Sequence, residues 1–411
     1  MHEPSKPVIR PSTPLTRRSL IIASDAVWPP VSGGDLRNWQ NANALATLGE
    51  VLVTSVREPD EVIAIDTPRI RAVALATATE NASTPRLAKR RTPLDTRIPT
   101  IALKRLLDEI AEFKPDTIVV EGIPLFALMA HVRPLVQRLV IDMHNVESDL
   151  MQQMLPEMGW LARRFSKKGR NVRRLREMEL KSLQMADKVW VCSQQDRQRV
   201  VELSGGKTHA DVIPNGIPRF DLIPAIPGAE PPIPGDGPTI LFVGHLNYPP
   251  NIEAARRLAT SILPRIRAEL GGARLVIAGR SPNRSLYELG ALPGVELVRD
   301  PEELGPLYRQ AHLAIVPLMS GGGTRLKILE AMAWGLPVVA THLAAEGLGL
   351  SDGADIELAD SDDEIVARAV SLCKDEALRQ KRRRQARDTA ARRFGPEAIE
   401  AAVKESLDQP R

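Results

Sequence analysis

Residues 312–341 read HLAIVPLMSGGGTRLKILEAMAWGLPVVAT and carry the clearest structural signal in the chain. The segment opens with a short apolar run, Leu313–Pro317, which is typical of a strand buried on both faces. Ser320–Thr324 predicts a flexible turn because it holds three consecutive glycines. Arg325–Trp334 predicts a helix, and a second apolar run, Val338–Thr341, follows it. This order of elements predicts a parallel βαβ unit.

Similar apolar runs alternate with helical patterns along the whole chain. Because nearly every position in these runs is apolar, we expect parallel sheets covered by helices on both faces. Two sets of runs predict two doubly wound α/β domains with a cleft between them. The runs are Leu20–Ser24, Val51–Val56, Thr117–Glu121, Leu139–Met143 and Val189–Ser193, then Ile240–Gly244, Leu275–Gly279, Val295–Val298, Leu313–Pro317 and Val338–Thr341.

Prolines and polar stretches suggest where the domains begin and end. A Pro-rich stretch cannot supply a central strand or a long helix, so it predicts a linker, and a polar Pro-rich start predicts a flexible tail. Pro396 suits the first turn of a last helix, which we expect to pack back on the first domain. The predicted parts are a tail at 1–18, a domain at 19–216, a linker at 217–238, a domain at 239–390 and a C-terminal helix at 391–411.

Composition excludes several classes of protein. The 411 residues include 55 Lys and Arg against 51 Asp and Glu, and 43% are hydrophobic, which excludes disordered and fibrous proteins. The only two cysteines, Cys192 and Cys373, lie too far apart in sequence to suggest a disulfide framework or a Cys-rich zinc site. No apolar run reaches the roughly 18–20 residues that span a bilayer. We therefore expect a cytoplasmic protein.

The glycine turn in 312–341 has the properties of an anion site. Glycines let a ligand approach the backbone, and the free amides and positive dipole end of the following helix favour phosphate. Arg325 and Lys327 add positive charge there, and Glu330 could accept hydrogen bonds from sugar or ribose hydroxyls. The alternative is a Gly-rich turn between a strand and a helix, with two solvated cations.

The segment GGGTRLKILEAMAWGLPVVAT resembles the donor-binding segment of the family 4 (group 1) glycosyltransferases, which are retaining enzymes of the GT-B fold. The resemblance covers about residues 19–395, and VIPNGI, ILFVGHLNYPPNIEA and LVIAGR occur in family order. It implies two Rossmann-like domains that face a central cleft, an acceptor-binding domain first and a donor-binding domain second. Of the two glutamates that the family usually carries eight positions apart, Glu330 matches the second, and Gly322 occupies the first position. The GGGTRLK sequence resembles a subgroup with glycines and basic residues here.

The resemblance assigns roles to residues of the second domain. Members often carry a basic pair near His245 that this chain lacks, and we infer from charge, not from a motif match, that Arg325 and Lys327 replace it and stabilise the leaving diphosphate. Alternatively, His245 has no ligand and is a polar residue packed at a strand end, and Arg280 is a solvated charge on the surface. The implied donor-binding residues are Gly244, His245, Arg280, Gly321, Gly322, Gly323, Thr324, Leu326 and Glu330. Pro249-Pro250-Asn251 predicts a turn and an N-cap for the next helix.

In the first domain, the resemblance implies that Gly33 and Gly34 form a loop near the acceptor and the donor phosphate. Without it, this pair is more typical of a turn, and Asp35 of a helix cap. His144 follows a buried strand, where family members have a histidine that contacts the transferred sugar. A structural histidine is the alternative. Further candidates are Asn145, Glu147 and, as an acceptor contact, Glu121.

Residues 160–183 are strongly basic, which predicts either a solvated helix face or a patch that contacts anionic membrane or a polyprenyl diphosphate acceptor. Such a contact would place the protein at the inner face of the cell membrane. Few aromatic residues lie among these charges, so we expect no nucleic-acid partner. Lys381–Arg384 predicts an exposed helix face, and residues 76–100 predict a mobile loop.

These observations predict a glycosyltransferase that moves a sugar from a nucleotide-diphosphate sugar to a saccharide or lipid-linked acceptor, in polysaccharide or glycolipid assembly. No Asp-x-Asp pair or His cluster occurs where a metal would be needed, so we expect cations in place of a metal, and no other cofactor. A sugar-nucleotide epimerase is an alternative, as is a non-catalytic nucleotide-sugar-binding protein, because Gly322 replaces a glutamate. A nicotinamide oxidoreductase is disfavoured because GxGxxG does not follow the first strand.

Overall fold

The computed structural model describes residues 17–30, 32–58, 65, 67–153, 166–224, 231, 233, 235, 237–321 and 326–409. Within these ranges the chain forms two separate sheets, and every strand pairing is parallel. This agrees with the predicted pair of doubly wound α/β domains.

The first domain contains the sheet formed by the first half of the chain. Its strands are β1 (Arg17–Ala23), β2 (Gly49–Ser55), β3 (Ile70–Ala74), β4 (Thr117–Glu121), β5 (Arg138–Met143), β6 (Lys188–Val191) and β7 (Asp211–Val212). Its helices are α1 (Gly33–Ala46), α2 (Ala78–Ser83), α3 (Thr100–Phe113), α4 (Phe126–Val132), α5 (Glu147–Gln153), α6 (Lys167–Met185) and α7 (Gln194–Ser204). The strand order is β3-β2-β1-β4-β5-β6-β7.

The second domain repeats this plan. Its strands are β8 (Thr239–Val243), β9 (Arg274–Gly279), β10 (Val295–Arg299), β11 (Leu313–Val316), β12 (Val338–Ala340) and β13 (Glu357–Leu358), in the order β10-β9-β8-β11-β12-β13. The later helices are α8 (Pro249–Arg257), α9 (Leu263–Leu270), α10 (Gly305–Gln310), α11 (Leu326–Ala333), α12 (His342–Ala345), α13 (Asp362–Lys374), α14 (Glu376–Phe394) and α15 (Pro396–Asp408). A π-helical turn, Leu258–Ile262, joins α8 to α9.

Strand β1 shows why the apolar runs lack a polar alternation. Leu20 and Ile22 belong to one apolar core, and Ile21 and Ala23 belong to another. Successive side chains of a strand point to opposite faces, so the two cores lie on the two faces of the sheet. The run is uniformly apolar because neither face meets water.

In both sheets the strand order reverses beside the first strand. In the first sheet β1 lies between β2 and β4, and in the second β8 lies between β9 and β11. Ligands of open α/β sheets bind beyond the carboxyl ends of the strands at such switch points. The fold therefore indicates that ligands would bind to the segments that follow β1, β4, β8 and β11.

The last helix, α15, packs against the first domain although it follows the second. Ile399, Val403 and Leu407 are buried in the same core as Ile21 and Trp190. The indole N–H of Trp190 donates to Ser406 Oγ at 2.8 Å. Pro396 occupies the first turn of α15, as its sequence context predicts.

Some segments differ from their prediction. Strand β1 begins at Arg17, inside the predicted 1–18 tail, and residues 1–16 lie outside the described residues. Residues 78–83 form a helix, and Arg86 and Pro99 form an antiparallel bridge, so 76–100, predicted as a mobile loop, contains regular structure. The linker contains a 3-10 turn at Phe220–Leu222, and 225–230 lie outside the described residues. In the part of the chain that is described, no helix is both long and apolar enough to span a membrane.

Candidate active site

Two helices begin beside the switch point of the second sheet. Helix α8 follows β8 after a short loop, and α11 follows β11 in the chain after the glycine-rich segment. The first amides of a helix have no partner within it, and the helix dipole makes this end positive. An anion at this edge would therefore face two helix N-termini.

Lys327 brings a fixed positive charge to the end of β8. Its Nζ donates to Asn251 Oδ1 at 2.6 Å and lies 4.6 Å from the centre of the Phe242 ring. A Cβ added at Gly244 would lie 2.9 Å from this Nζ, so a residue with a side chain would displace the ammonium group. The missing side chain at Gly244 thus makes room for Lys327.

Asn251 positions this lysine and is not the N-cap that the sequence predicts. The N-cap of α8 is Tyr248, and Asn251 lies within the first turn of the helix. Its Nδ2 donates to the carbonyl oxygen of His245 at 2.9 Å, while its Oδ1 accepts from Lys327. One amide side chain therefore links the loop after β8 to α11.

Glu330 lies one turn after Lys327 and is half-buried. Its Oε2 accepts a long hydrogen bond, 3.5 Å, from the buried hydroxyl of Tyr308, whose ring stacks on Trp334 at 5.8 Å. Burial raises the pKa of Glu330 to about 7, although the Tyr308 hydrogen bond and the Lys327 charge act in the opposite direction. This carboxyl therefore changes charge near neutral pH.

Only part of the predicted glycine turn is described. Gly321 has a φ of +105°, and a Cβ there would lie 3.1 Å from both Pro250 Cγ and Tyr248 Oη, so this position is suited to glycine. Leu326 is the first residue of α11. Gly322, Gly323, Thr324 and Arg325 lie outside the described residues.

His245 and Arg280 have exposed side chains at the same edge of the sheet. The backbone N–H of Leu246 donates to the carbonyl oxygen of Arg280 at 2.9 Å, which joins the loops after β8 and β9. The contacts described at this edge are made by main-chain atoms and by the side chains of Lys327 and Asn251, and the donor roles of His245 and Arg280 stay predictions.

In the first domain, Gly33 and Gly34 form the first turn of α1 and not a loop, and their role near the acceptor and the donor phosphate stays a prediction. Ser32 is the N-cap, and Asp35 completes a capping box by accepting from the Ser32 N–H at 2.8 Å. A Cβ added at Gly34 would lie 3.3 Å from Glu121 Oε1 and 3.5 Å from His144 Cε1. The structure thus brings Gly34, Glu121 and His144 together.

Glu121 ends β4 and lies at the switch point of the first sheet. Its Oε2 accepts from the backbone N–H of Ser24, which follows β1, at 2.6 Å. Burial raises the pKa of this carboxyl, while attraction to His144 opposes the rise. The carboxyl group is thus fixed beside His144.

Beneath His144 lies a buried acid that sequence reasoning missed. Asp142 Oδ2 is 3.6 Å from His144 Nε2, and Arg37 donates to Asp142 Oδ1 from Nη2 at 2.6 Å. Asn41 donates to Oδ2 at 2.8 Å. Burial alone would raise the pKa of Asp142, but the Arg37 and His144 charges lower it to about 2. Asp142 is therefore ionised, and its charge faces the imidazole of His144.

Arg37 also binds residues at the C-terminal end of the first domain. Arg37 Nη1 donates to the carbonyl oxygen of Ile213 at 2.8 Å and to Asn215 Oδ1 at 2.7 Å. Asn215 belongs to VIPNGI, one of the sequences that carries the family resemblance. The spacing of Asp142 and His144 in VIDMH is a sequence signal for the acid, but nothing local marks Arg37 as its partner.

Asn145 and Glu147 help to begin α5. Asn145 Nδ2 donates to Glu147 Oε1 at 3.3 Å, and the buried Glu179 on α6 accepts from the backbone N–H of Ser148 at 3.0 Å. Burial raises the pKa of Glu147 and raises that of Glu179 to about 7. These carboxyls hold the segment that follows His144.

The two domains meet around a small pocket of about 80 Å³. His144, Asn145 and Asn215 line it from the first domain, and Gly321 and Leu343 line it from the second. Of the predicted residues, His144 and Asn145 therefore face Gly321 across the cleft.

Contacts across the cleft surround this pocket. Gln195 Nε2 donates to Glu346 Oε1 at 2.6 Å, and Arg199 pairs with the same carboxylate at 3.3 Å. Cys192 also lines the pocket, but burial raises the pKa of its thiol to about 12, which keeps it protonated and unreactive. Within the described ranges, no three His, Cys, Asp or Glu residues are grouped so that they could hold a metal ion.

Two family models match most of the chain. Residues 32–216 match the glycosyl transferase 4-like domain, and residues 237–375 match the glycosyl transferases group 1 model. The two matches correspond to the two domains of the fold.

Curated relatives match shorter parts of the chain. A Klebsiella pneumoniae protein described as an uncharacterized 44.6 kDa protein in the cps region is 30% identical over 134 residues, which cover 30% of this chain and 34% of that protein. A phosphatidyl-myo-inositol mannosyltransferase from Mycolicibacterium smegmatis is 28% identical over 176 residues, which cover 41% of this chain and 44% of that protein. The matches thus span less than half the length of either relative.

Solved structures share the whole fold at low sequence identity. Sucrose-phosphate synthase from Thermosynechococcus elongatus superposes with a TM-score of 0.70 at 17% identity, covering 95% of this chain and 98% of that one. Anabaena HepE in complex with UDP and glucose superposes with a TM-score of 0.66 at 14% identity, covering 95% and 99%. The family models and this shared fold lead to one conclusion: the chain belongs to the group 1, family 4 type glycosyltransferases and has the GT-B fold.

Proposed function

We propose that this protein is a retaining glycosyltransferase that moves a sugar from a nucleotide-diphosphate sugar to a saccharide or lipid-linked acceptor. The observation that carries the proposal is the pocket between the domains, which His144 lines from one side and Gly321 from the other. A sugar held there would lie between the glycine turn, where a diphosphate can bind, and a histidine held against an ionised aspartate.

The donor is expected to bind mainly to the second domain, at 239–390. Its diphosphate would meet the N-termini of α8 and α11 together with the ammonium of Lys327, and Arg325 adds charge from the adjacent sequence. Glu330 would accept hydrogen bonds from the ribose hydroxyls. HepE was solved with UDP and glucose, which makes UDP-sugars the first donors to test.

Transfer breaks the bond between the anomeric carbon and the diphosphate oxygen. Negative charge grows on the departing diphosphate, where helix amides and Lys327 stabilise it. His144 donates a hydrogen bond to the sugar, and the acceptor hydroxyl attacks the face that the diphosphate leaves. The configuration is retained because attack and departure use the same face, and a diphosphate oxygen takes the acceptor proton. Lys327 and Arg325 supply the charge that a divalent ion would supply, so EDTA should leave the rate unchanged.

The acceptor is expected to bind to the first domain, at 19–216. The described part of the basic segment is α6, whose exposed cations include Lys167, Lys168 and Arg176. Residues 160–165 lie outside the described residues. We expect this helix to contact anionic lipid and to keep the protein at the inner face of the cell membrane.

A panel of nucleotides and nucleotide sugars tests this function. A UDP-, GDP- or ADP-sugar that binds should raise the melting temperature by mass action, because it binds the folded chain alone. Proton NMR of the first sugar product should show the donor's anomeric configuration. Inverted product would contradict retention, and binding without turnover in the presence of acceptors would favour a non-catalytic nucleotide-sugar-binding protein.

Lys327→Ala should remove most of the thermal shift caused by the nucleotide and lower kcat/KM for the donor by about 10²–10³-fold, the usual effect of losing one charge-stabilising donor. Lys381→Ala is the matched control because Lys381 is exposed on α14, in the same domain. Equal donor shifts and equal rates in the two variants would contradict the proposed diphosphate site.

A further inference from the structure

The first domain contains a cavity of about 1290 Å³ that the reaction described above does not use. Its walls come from α4, from the second half of α6 and from the segment around α2 that precedes α3. This volume is well above that of the 80 Å³ pocket between the domains and is large for a small-molecule site.

Large apolar side chains line part of this cavity. Leu87, Leu94, Phe126 and Met185 are only partly buried and pack against the core from the cavity side. Burial of such surface is favourable by roughly 25 cal/mol per Å². A ligand that covers these side chains with an apolar chain would gain that free energy.

Positive charge dominates the rest of the lining. Seven Lys and Arg residues line the cavity, against two carboxylates, Glu58 and Asp95. The side chains of Arg86 and Lys89 are exposed and make no hydrogen bond or ion pair with the residues that the structure describes. The carboxylate of Asp95 already has hydrogen-bond partners, because it accepts from the Thr92 hydroxyl and from the backbone N–H of Arg91. The cavity therefore combines an apolar wall with cations that can pair with an added anion.

The cavity begins close to the candidate active site. Thr96 lines it, and the Thr96 hydroxyl is hydrogen-bonded to the Ser24 hydroxyl at 2.8 Å. The backbone N–H of Ser24 donates to Glu121, which lies beside His144. Two hydrogen bonds thus connect the cavity wall to the carboxyl next to the proposed sugar site.

The cavity also adjoins the basic surface of α6. Arg174 Nη1 donates to the carbonyl oxygen of Arg91 at 3.1 Å, which fixes the cationic segment against that helix. Lys181, further along α6, lines the cavity itself. A molecule that leaves an anionic surface beside α6 would meet the same charge inside the cavity.

We propose that this cavity binds the acceptor and that the acceptor is an amphiphile, an apolar chain joined to a phosphate or diphosphate. The chain lies against Leu87, Leu94, Phe126 and Met185, and the phosphate pairs with rim cations that include Arg86 and Lys89. The group to be glycosylated then points toward Glu121. This assignment rests on the proposed glycosyltransferase function, and it selects a lipid-linked acceptor over a free saccharide.

Calorimetric titration of the full chain with farnesyl phosphate, inorganic phosphate and farnesol tests the ligand class. Farnesyl phosphate should bind at least tenfold more tightly than either part alone, because only it has both the chain and the charge. Equal affinity for inorganic phosphate would reduce the site to a general anion site and overturn the proposal. Equal affinity for farnesol would overturn it as well.

Two variants locate the site. Ala130→Trp places a large ring in the cavity from an exposed position of α4, and it should weaken farnesyl phosphate binding at least tenfold. The double variant Arg86→Ala, Lys89→Ala should weaken it at least fivefold. Their matched controls are Ala268→Trp and the double variant Lys381→Ala, Arg384→Ala, all at exposed positions of the second domain, and these should bind as the parent does.

The nucleotide thermal shift, measured on each variant, separates this proposal from the function on which it rests. An unchanged shift together with lost farnesyl phosphate binding supports the assigned cavity. Unchanged farnesyl phosphate binding in both cavity variants overturns it, even if donor turnover persists. A parent chain that binds the probe but no nucleotide contradicts the glycosyltransferase proposal while supporting the ligand class of the cavity.

Discussion

Glu330 is half-buried and Glu179 fully buried, so the fold shields both carboxyl groups from water to different degrees. Each has a pKa raised by burial to about 7, from an ordinary value of 4.5. A carboxyl of this kind binds its proton more tightly in the folded chain than in the unfolded chain. Stability is then linked to pH in the range between the two pKa values.

For Glu330 the expected direction is a loss of stability as pH rises. The contribution of the protonated carboxyl is complete below pH 4.5, the unfolded value, and is lost as pH rises through about 7. Glu330→Gln cannot ionise at this position. Its free energy of unfolding should therefore fall less between pH 5 and pH 8 than that of the parent, and the difference between the two losses should be at most about 3 kcal/mol. Urea denaturation at both pH values measures this. Glu303→Gln, an exposed substitution, is the control, and a parent-like loss in Glu330→Gln would contradict the prediction.

At this scale the sequence predicts individual side chains better than their partners. Glu121 and His144 can be picked out because each follows an apolar strand, and the fold then brings them together. Arg37 cannot, because a charged residue in the polar pattern RNWQNAN of α1 resembles a solvated one. It is buried because its partners, among them Asp142, 105 positions later, are supplied by distant parts of the chain. A pairing over this distance is decided by the tertiary fold.

Among the elements, α1 stands out because part of its buried face is polar. Arg37, Asn38 and Asn41 are each at most 2% exposed, and Asp142 on β5 is fully buried. Two of these side chains bind the aspartate, so α1 is held to β5 by charge and hydrogen bonds as well as by apolar contact. Such a pair is costly to break on one side because the other charge stays buried.

Arg37→Met and Asp142→Leu should each lower the free energy of unfolding by about 3–5 kcal/mol. The double variant should lose less than the sum of the two, because it leaves no uncompensated charge. Urea denaturation of the four chains gives the coupling as a double-mutant cycle. Arg71→Met breaks a half-exposed ion pair with Glu109 of nearly the same length, 2.7 Å, and should cost less than about 1 kcal/mol. Equal losses from Arg37→Met and Arg71→Met would contradict a structural role for the buried pair.

The strands that the sequence fails to predict, β3, β7 and β13, all lie at the edges of the sheets. Strand β3 has a single buried residue, Ile70, and β7 and β13 have two residues each. The apolar pattern that marks the central strands arises from burial on both faces, which edge strands partly lack. Their pairing depends on the neighbour already in place, so the local sequence holds little information about them.

For the whole molecule, the chain crosses between the domains twice, and the crossings lie side by side. The backbone N–H of Ile217, at the start of the linker, donates to the carbonyl oxygen of Phe394, at the end of α14, at 3.1 Å. Phe394 belongs to the core of the second domain, and Ile399, five residues later, belongs to that of the first. The last helix therefore completes the first domain from the far end of the sequence.

Substitutions in α15 should accordingly unfold the first domain before the second. Ile399 and Leu407 are each 1% exposed in the core around Trp190, so Ile399→Ala or Leu407→Ala should lower the free energy of unfolding of that domain by about 2–5 kcal/mol. Trp190 lies in this core and its N–H donates to Ser406 on α15, so its fluorescence should follow the transition. Lys404→Ala, on the exposed face of α15, should leave the transition in place. An Ile399→Ala variant whose transition shifted no more than that of Lys404→Ala would contradict this prediction. The first domain would then be stable without α15, and that helix would only lie on its surface.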